Sequence, residues 1–161
     1  MKKPVLIPRA PLFMSDIYRD LARYFLGVEE VLFNIGVEVC SDPAESIEEV
    51  APMTTYNLCR DYVNLEILVK NIDTILTELD KKREYIKIDE DIYQAARFAM
   101  FAANDAMIAL VECSYIVDED IYPLELDRQH MIDSIEIIRN TLSENFEELI
   151  ERRNSNGTER T

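Results

Sequence analysis

Apolar residues recur along most of this chain at steps of three and four, the signature of helices that bury one face. Ile17, Leu21, Tyr24, Val28, Val31, Ile35 and Val39 form the first stripe. The second, Leu58, Tyr62, Leu65, Val69, Ile72, Leu76 and Leu79, runs through a stretch free of Gly and Pro. In the third the seam positions are small: Ala95, Ala99, Ala102, Ala106, Ala109 and Cys113, then Ile116. The fourth is Leu124, Arg128, Met131, Ile135, Ile138 and Leu142, with Phe146 and Leu149 beyond. Four stripes predict an all-α fold, an antiparallel up-down four-helix bundle with rods about 36 to 45 Å long.

The connecting segments fit this reading. Ser15 is the expected N-cap of the first rod, with Asp16 and Asp20 near the positive end of its dipole. Ser41-Asp42-Pro43-Ala44-Glu45 reads as a capped start with Pro in the first turn, predicting a short acidic helix between the first two rods that Pro52 stops or kinks. Thr54 or Thr55 is then the expected cap of the second rod. Asp89-Glu90-Asp91 opens the third, and Asp118 to Pro123 opens the fourth. Residues 1–14 are expected to form an extended, Pro-containing arm with Lys2, Lys3 and Arg9, residues 15–153 the single bundle domain, and residues 154–161 a disordered tail.

The segment RFAMFAANDAMIALVE, residues 97–112, is rich enough in apolar groups to suggest a membrane span. Arg97, Asp105 and Glu112 exclude it, since each costs about 2.5 to 3.5 kcal/mol near a bilayer centre. The alanines instead share one sector, where they let a neighbouring backbone approach closely. The opposite sector carries Arg97, Phe101, Asn104, Asp105, Ile108, Glu112 and Tyr115, mixing charges with large apolar groups. Leu26 and Phe33 break the polar face of the first rod in the same way. Such residues point to a second contact surface, for a partner or for another copy, or to a cover formed by the arm or the short helix.

Charge sharpens the partner. The chain of 161 residues has 32 acidic and 17 basic side chains, a net charge of -15, so its field repels nucleic acid and anionic membrane and attracts basic proteins. Two stretches hold seven acids each with no Lys or Arg: Glu29 to Glu49, which includes Glu45, Glu48 and Glu49, and Asp105 to Asp127, which includes Asp118, Glu119 and Asp120. Cys40, Cys59 and Cys113 fit neither a disulfide framework nor a zinc knuckle, and the Pro-broken N-terminal sequence lacks the apolar run of an export signal, so a cytoplasmic location is expected.

Catalytic signatures are incomplete. Asp105 and Glu112 lie two turns apart on one face, and Glu29, Glu30 and Glu66 are the candidates to converge on them. Carboxylate-bridged metal bundles also use Glu-x-x-His from two helices, whereas this chain has one histidine, His130, in Asp127-x-x-His130. Glu45-x-x-Glu48 and Glu144-x-x-Glu147 lack the Glu-x-x-Asp partner of bundle pyrophosphohydrolases. The three glycines are isolated, so no phosphate loop is present. The expectation is a non-enzymatic protein without cofactor or metal that binds a basic protein surface, as inhibitors, immunity proteins and DNA mimics do. The partner would be a nuclease, a toxin or a nucleic-acid-binding protein, met through Leu26, Phe33, Phe101, Ile108 and Tyr115 and the acids Glu45, Glu48, Glu49, Asp105, Glu112, Asp118, Glu119 and Asp120. The alternatives are a structural homo-oligomer, such as a homodimer, and a carboxylate-dependent metalloenzyme.

Overall fold

The computed structural model describes residues 10–42, 51–113 and 128–160, with side chains from residue 16 to residue 155 within those ranges. These residues form four helices and no strand: α1 Ala10–Cys40, α2 Pro52–Lys82, α3 Glu90–Glu112 and α4 Arg128–Arg160. The short acidic helix expected after Pro43 and the expected opening of the fourth rod at Asp118 to Pro123 lie outside the described residues.

The helix ends differ from expectation in three places. α1 starts at Ala10, inside the stretch read as an extended arm, and Ser15 is an interior residue. Pro11 stands in the first turn, where its missing N–H is one that no helical carbonyl would have accepted. α2 starts at Pro52 after Ala51, which makes no side-chain cap, so neither Thr54 nor Thr55 has that role. Thr54 is buried instead. α4 runs on to Arg160 through the stretch read as a tail. No proline interrupts it, and each residue added to an existing helix gains a hydrogen bond at little further cost. Asp89-Glu90-Asp91 opens α3 as expected, and Asp89 is its N-cap: its side chain accepts from the backbone N–H groups of Asp91 and Ile92.

The apolar stripes form the core. Ile17, Leu21, Val28, Val31, Ile35 and Val39 are buried, as are Leu58, Leu65, Ile72, Leu76 and Leu79 of α2 and Met131, Ile135, Leu142 and Leu149 of α4. The backbones of α1 and α3 each come close to all three other helices, whereas those of α2 and α4 do not approach one another among the described residues. The cross-section is therefore a rhombus with α1 and α3 on its short diagonal. The alanines permit this. Ala96, Ala99, Ala102, Ala103, Ala106 and Ala109 are all buried, and a face without bulk lets α1 press close while Phe25, Leu32 and the other large side chains fill the flanks.

Polar ties fix how the rods meet. The Tyr18 hydroxyl accepts from the Asp89 N–H at 2.9 Å. Tyr93 donates its hydroxyl hydrogen to the Asp80 carboxylate, whose two oxygens both lie 2.9 Å away. Arg153 of α4 donates to Asp89 at 2.8 Å. The rings of Phe25 and Phe146 stand 4.8 Å apart. Away from these ties, Arg60 of α2 lies 3.8 Å from Glu38 of α1.

Candidate functional site

The outward face of α3 carries a row of four residues, with Val111 exposed to one side of it. Phe101, Asp105, Ile108 and Glu112 follow at steps of four, three and four, opposite the buried alanines, and all four are exposed. Ile108 leaves 54% of its surface to solvent. Arg97 lies over the Phe101 ring, its guanidinium carbon 5.3 Å from the centroid, so one face of that ring is occupied by a cation of the same helix. Phe101 and Asp105 also edge a cleft of about 270 Å³ toward Ile138 and Leu142 of α4.

α1 repeats the pattern. Leu26, Glu30, Phe33 and Val37 take the same four-three-four steps and are exposed, opposite Val28, Leu32 and Ile35. Arg139 of α4 covers the Phe33 ring at 5.2 Å. Two clefts flank this row on its α4 side. One of about 580 Å³ is lined by Phe33, Gly36, Val37, Ile132 and Arg139. The other, about 400 Å³, is lined by Phe25, Leu26, Ala95, Phe146 and Ile150. Glu29 borders both, and its carboxyl is pushed above the ordinary range by burial, against the opposing pull of Arg139.

Because α1 and α3 share the short diagonal, these rows point away from each other. The residues singled out in the sequence thus form two surfaces rather than one: Leu26 and Phe33 on α1, and Phe101, Asp105, Ile108 and Glu112 on α3. Glu45, Glu48, Glu49, Tyr115, Asp118, Glu119 and Asp120 lie outside the described residues.

The carboxylates proposed to converge do not assemble into a metal centre. Among the described residues no three Asp, Glu, His or Cys side chains are grouped as ligands. Cys40 and Cys59 are exposed and Cys113 is buried. No helix among the described residues is long and apolar enough to cross a membrane.

One pair escaped the sequence reading. Asp61 of α2 is 2% exposed, and the Glu38 carboxyl of α1 lies within hydrogen-bonding reach of it. The signal was there in part: Thr54, Leu58, Asp61 and Leu65 step by four, three and four and are all buried, so an acid stands in the core register of α2. Tyr62, read as the seam residue, is half-buried beside it. Nothing in the linear sequence places Glu38 opposite.

No protein-family model, curated protein or solved structure matches this chain.

Proposed function

We propose that this chain is a non-catalytic binding protein that docks on a basic protein surface, and that the outward row of α3 is its contact face. The observation that carries the reading is that row: apolar Phe101 and Ile108 alternate with Asp105 and Glu112 on one exposed helix face. Arg97 covers one face of Phe101 at the start of the row, and beyond it no Lys or Arg occurs up to Asp127. Burying the apolar pair supplies affinity, while the carboxylates steer a cationic partner and select it by charge. An up-and-down order of the four rods, supported by the ties of Tyr18, Asp80 and Arg153, holds the row rigid, so little ordering is needed on association. The reading takes the partner to be a cytoplasmic nuclease, toxin or nucleic-acid-binding protein that the acidic chain inhibits or covers.

The test compares wild type with the Phe101→Ser/Ile108→Ser double variant as bait for proteins of the native cell, followed by reconstitution with the purified retained protein. A basic protein bound by wild type and at least about tenfold more weakly by the variant supports the reading, since truncated anchors commonly cost more than 1 kcal/mol each. Equal binding to both baits contradicts it.

A second reading rests on α1. Leu26, Phe33 and Val37 leave 63%, 44% and 47% of their surfaces exposed, Leu26 beside the cleft of Phe25 and Phe146 and the other two beside that of Ile132 and Arg139, a surface suited to a symmetric homodimer. Light scattering at tens of micromolar separates the two: a dimer dispersed by Leu26→Ser favours self-association, and a monomer removes it. A carboxylate metalloenzyme, the remaining expectation, gains no support from the described residues.

A further inference from the structure

The seam between α1 and α2 contains two acids where a helical bundle ordinarily places leucine. Asp61 is 2% exposed, and the Glu38 side chain only 17%. Glu38 Oε2 and Asp61 Oδ2 are each sealed from water, and neither meets a donor. The nearest cation is the exposed guanidinium of Arg60, whose Nη2 stands 3.8 Å from Glu38 Oε1, beyond hydrogen-bonding distance and on the other oxygen. Two ionised carboxylates in this place would repel through a medium that screens poorly, with two oxygens left bare. A proton on Glu38 lowers both costs, since it leaves a single negative charge and gives the Glu38 carboxyl a hydrogen to donate to Asp61.

We infer that Glu38 keeps its proton at neutral pH and donates it to the Asp61 carboxylate, and that this hydrogen bond fastens α1 to α2 at the start of the link between them. The same region contains a second tie of the link: Asp42 is buried, and its two carboxylate oxygens accept the Ala51 N–H at 3.2 and 3.1 Å. Asp42 closes the base of the connection, and the hydrogen bond from Glu38 to Asp61 holds the helices on which that base stands.

The charged groups acting on Glu38 among the described residues are Asp61 and Arg60, both from α2. Burial raises the Glu38 carboxyl most, the hydrogen bond and charge of Asp61 raise it further, and Arg60 opposes them; together they push it up to about 8 from an ordinary 4.5. Between those values the folded chain carries a proton that the unfolded chain has released. The fastening is thus complete at acid pH, weakens as pH rises toward about 8, and is lost above it, when the proton passes to solvent. The fastening does not depend on whether the α3 row binds a partner.

Carboxyl ¹³C NMR of the intact protein tests this directly. The Glu38 resonance is expected to titrate near pH 8 in wild type, and at least one pH unit lower in Asp61→Asn, which removes the second negative charge. Amide hydrogen exchange supplies the mechanical readout. Opening at residues 35–40 and 54–62, corrected for the intrinsic base-catalysed rate, is expected to rise about tenfold between roughly pH 7 and 9.5 in wild type and to stay flat in Glu38→Gln. A Glu38 midpoint in the ordinary carboxylate range overturns the inference even where the variants fail to fold. So does the same pH profile of exchange in wild type and Glu38→Gln.

Discussion

A β-carbon on Gly27 would lie 3.2 Å from Cδ2 of Leu68, so α1 meets α2 here with a glycine hydrogen against a leucine methyl. Gly36, nine residues along α1, faces α4 with more room, since its added carbon would stand 3.7 Å from Ile135 Cγ2. Both glycines cost the helix about 1 kcal/mol relative to alanine. Gly36→Ala should recover about 0.5 to 1 kcal/mol in urea denaturation. Gly27→Ala should recover none, because the helix gain is offset by displacing Leu68. An equal gain for both would show that α1 and α2 are not closely apposed at this point.

The short diagonal makes a stronger demand. Ala103 and Ala106 are fully buried on the face that α3 turns toward the interior. Ala103→Leu or Ala106→Leu should destabilise the fold by about 1 to 3 kcal/mol through overpacking. Ile108→Ala, on the exposed row of the same helix, should change stability by no more than about 0.5 kcal/mol. Chemical denaturation of the three variants checks this, and a tolerated leucine at either buried position would contradict the close approach of α1.

Tyr93 and Asp80 join α3 to the end of α2. The Asp80 carboxyl is held below its ordinary range by the Arg83 hydrogen bond first and by Tyr93 as well, against some desolvation. Arg83 also lies over the Tyr93 ring at 4.5 Å and bonds Glu90. Tyr93→Phe should cost about 0.5 to 1.5 kcal/mol at neutral pH. A depressed carboxylate contributes stability above its unfolded pKa and loses it as pH falls through the lower folded value. The gap in Tm between wild type and Tyr93→Phe should therefore narrow as pH is lowered below about 4. A gap independent of pH would mean that the hydroxyl is not working through the Asp80 charge.

The helical core was readable because a helix repeats its environment every few residues. The α1 positions Ile17, Leu21, Val28, Val31, Ile35 and Val39 are buried as their spacing implies, and only Tyr24 of that stripe is half-buried. The alanine face was legible for the same reason. Helix ends were not. Ser15 and Thr54 are good caps by residue type, but Pro11 and Pro52 set the actual first turns, and caps compete within a few residues of one another. The rows on α1 and α3 were also legible as anomalies, yet their separation was not, since it depends on which helices lie across the short diagonal. Glu38 and Asp61 were missed because an acid amid apolar spacing resembles a surface residue until the opposing helix is known.

The most direct test of the proposed function is the salt dependence of partner binding by wild type and the Phe101→Ser/Ile108→Ser variant, titrated against the purified retained protein from about 0.05 to 0.5 M salt, where screening shortens from about 14 to 4 Å. The account predicts tight binding of a basic protein by wild type at low salt, marked weakening as salt rises, and at least about tenfold weaker binding by the variant throughout. Binding that is indifferent both to salt and to loss of the two apolar side chains would contradict it.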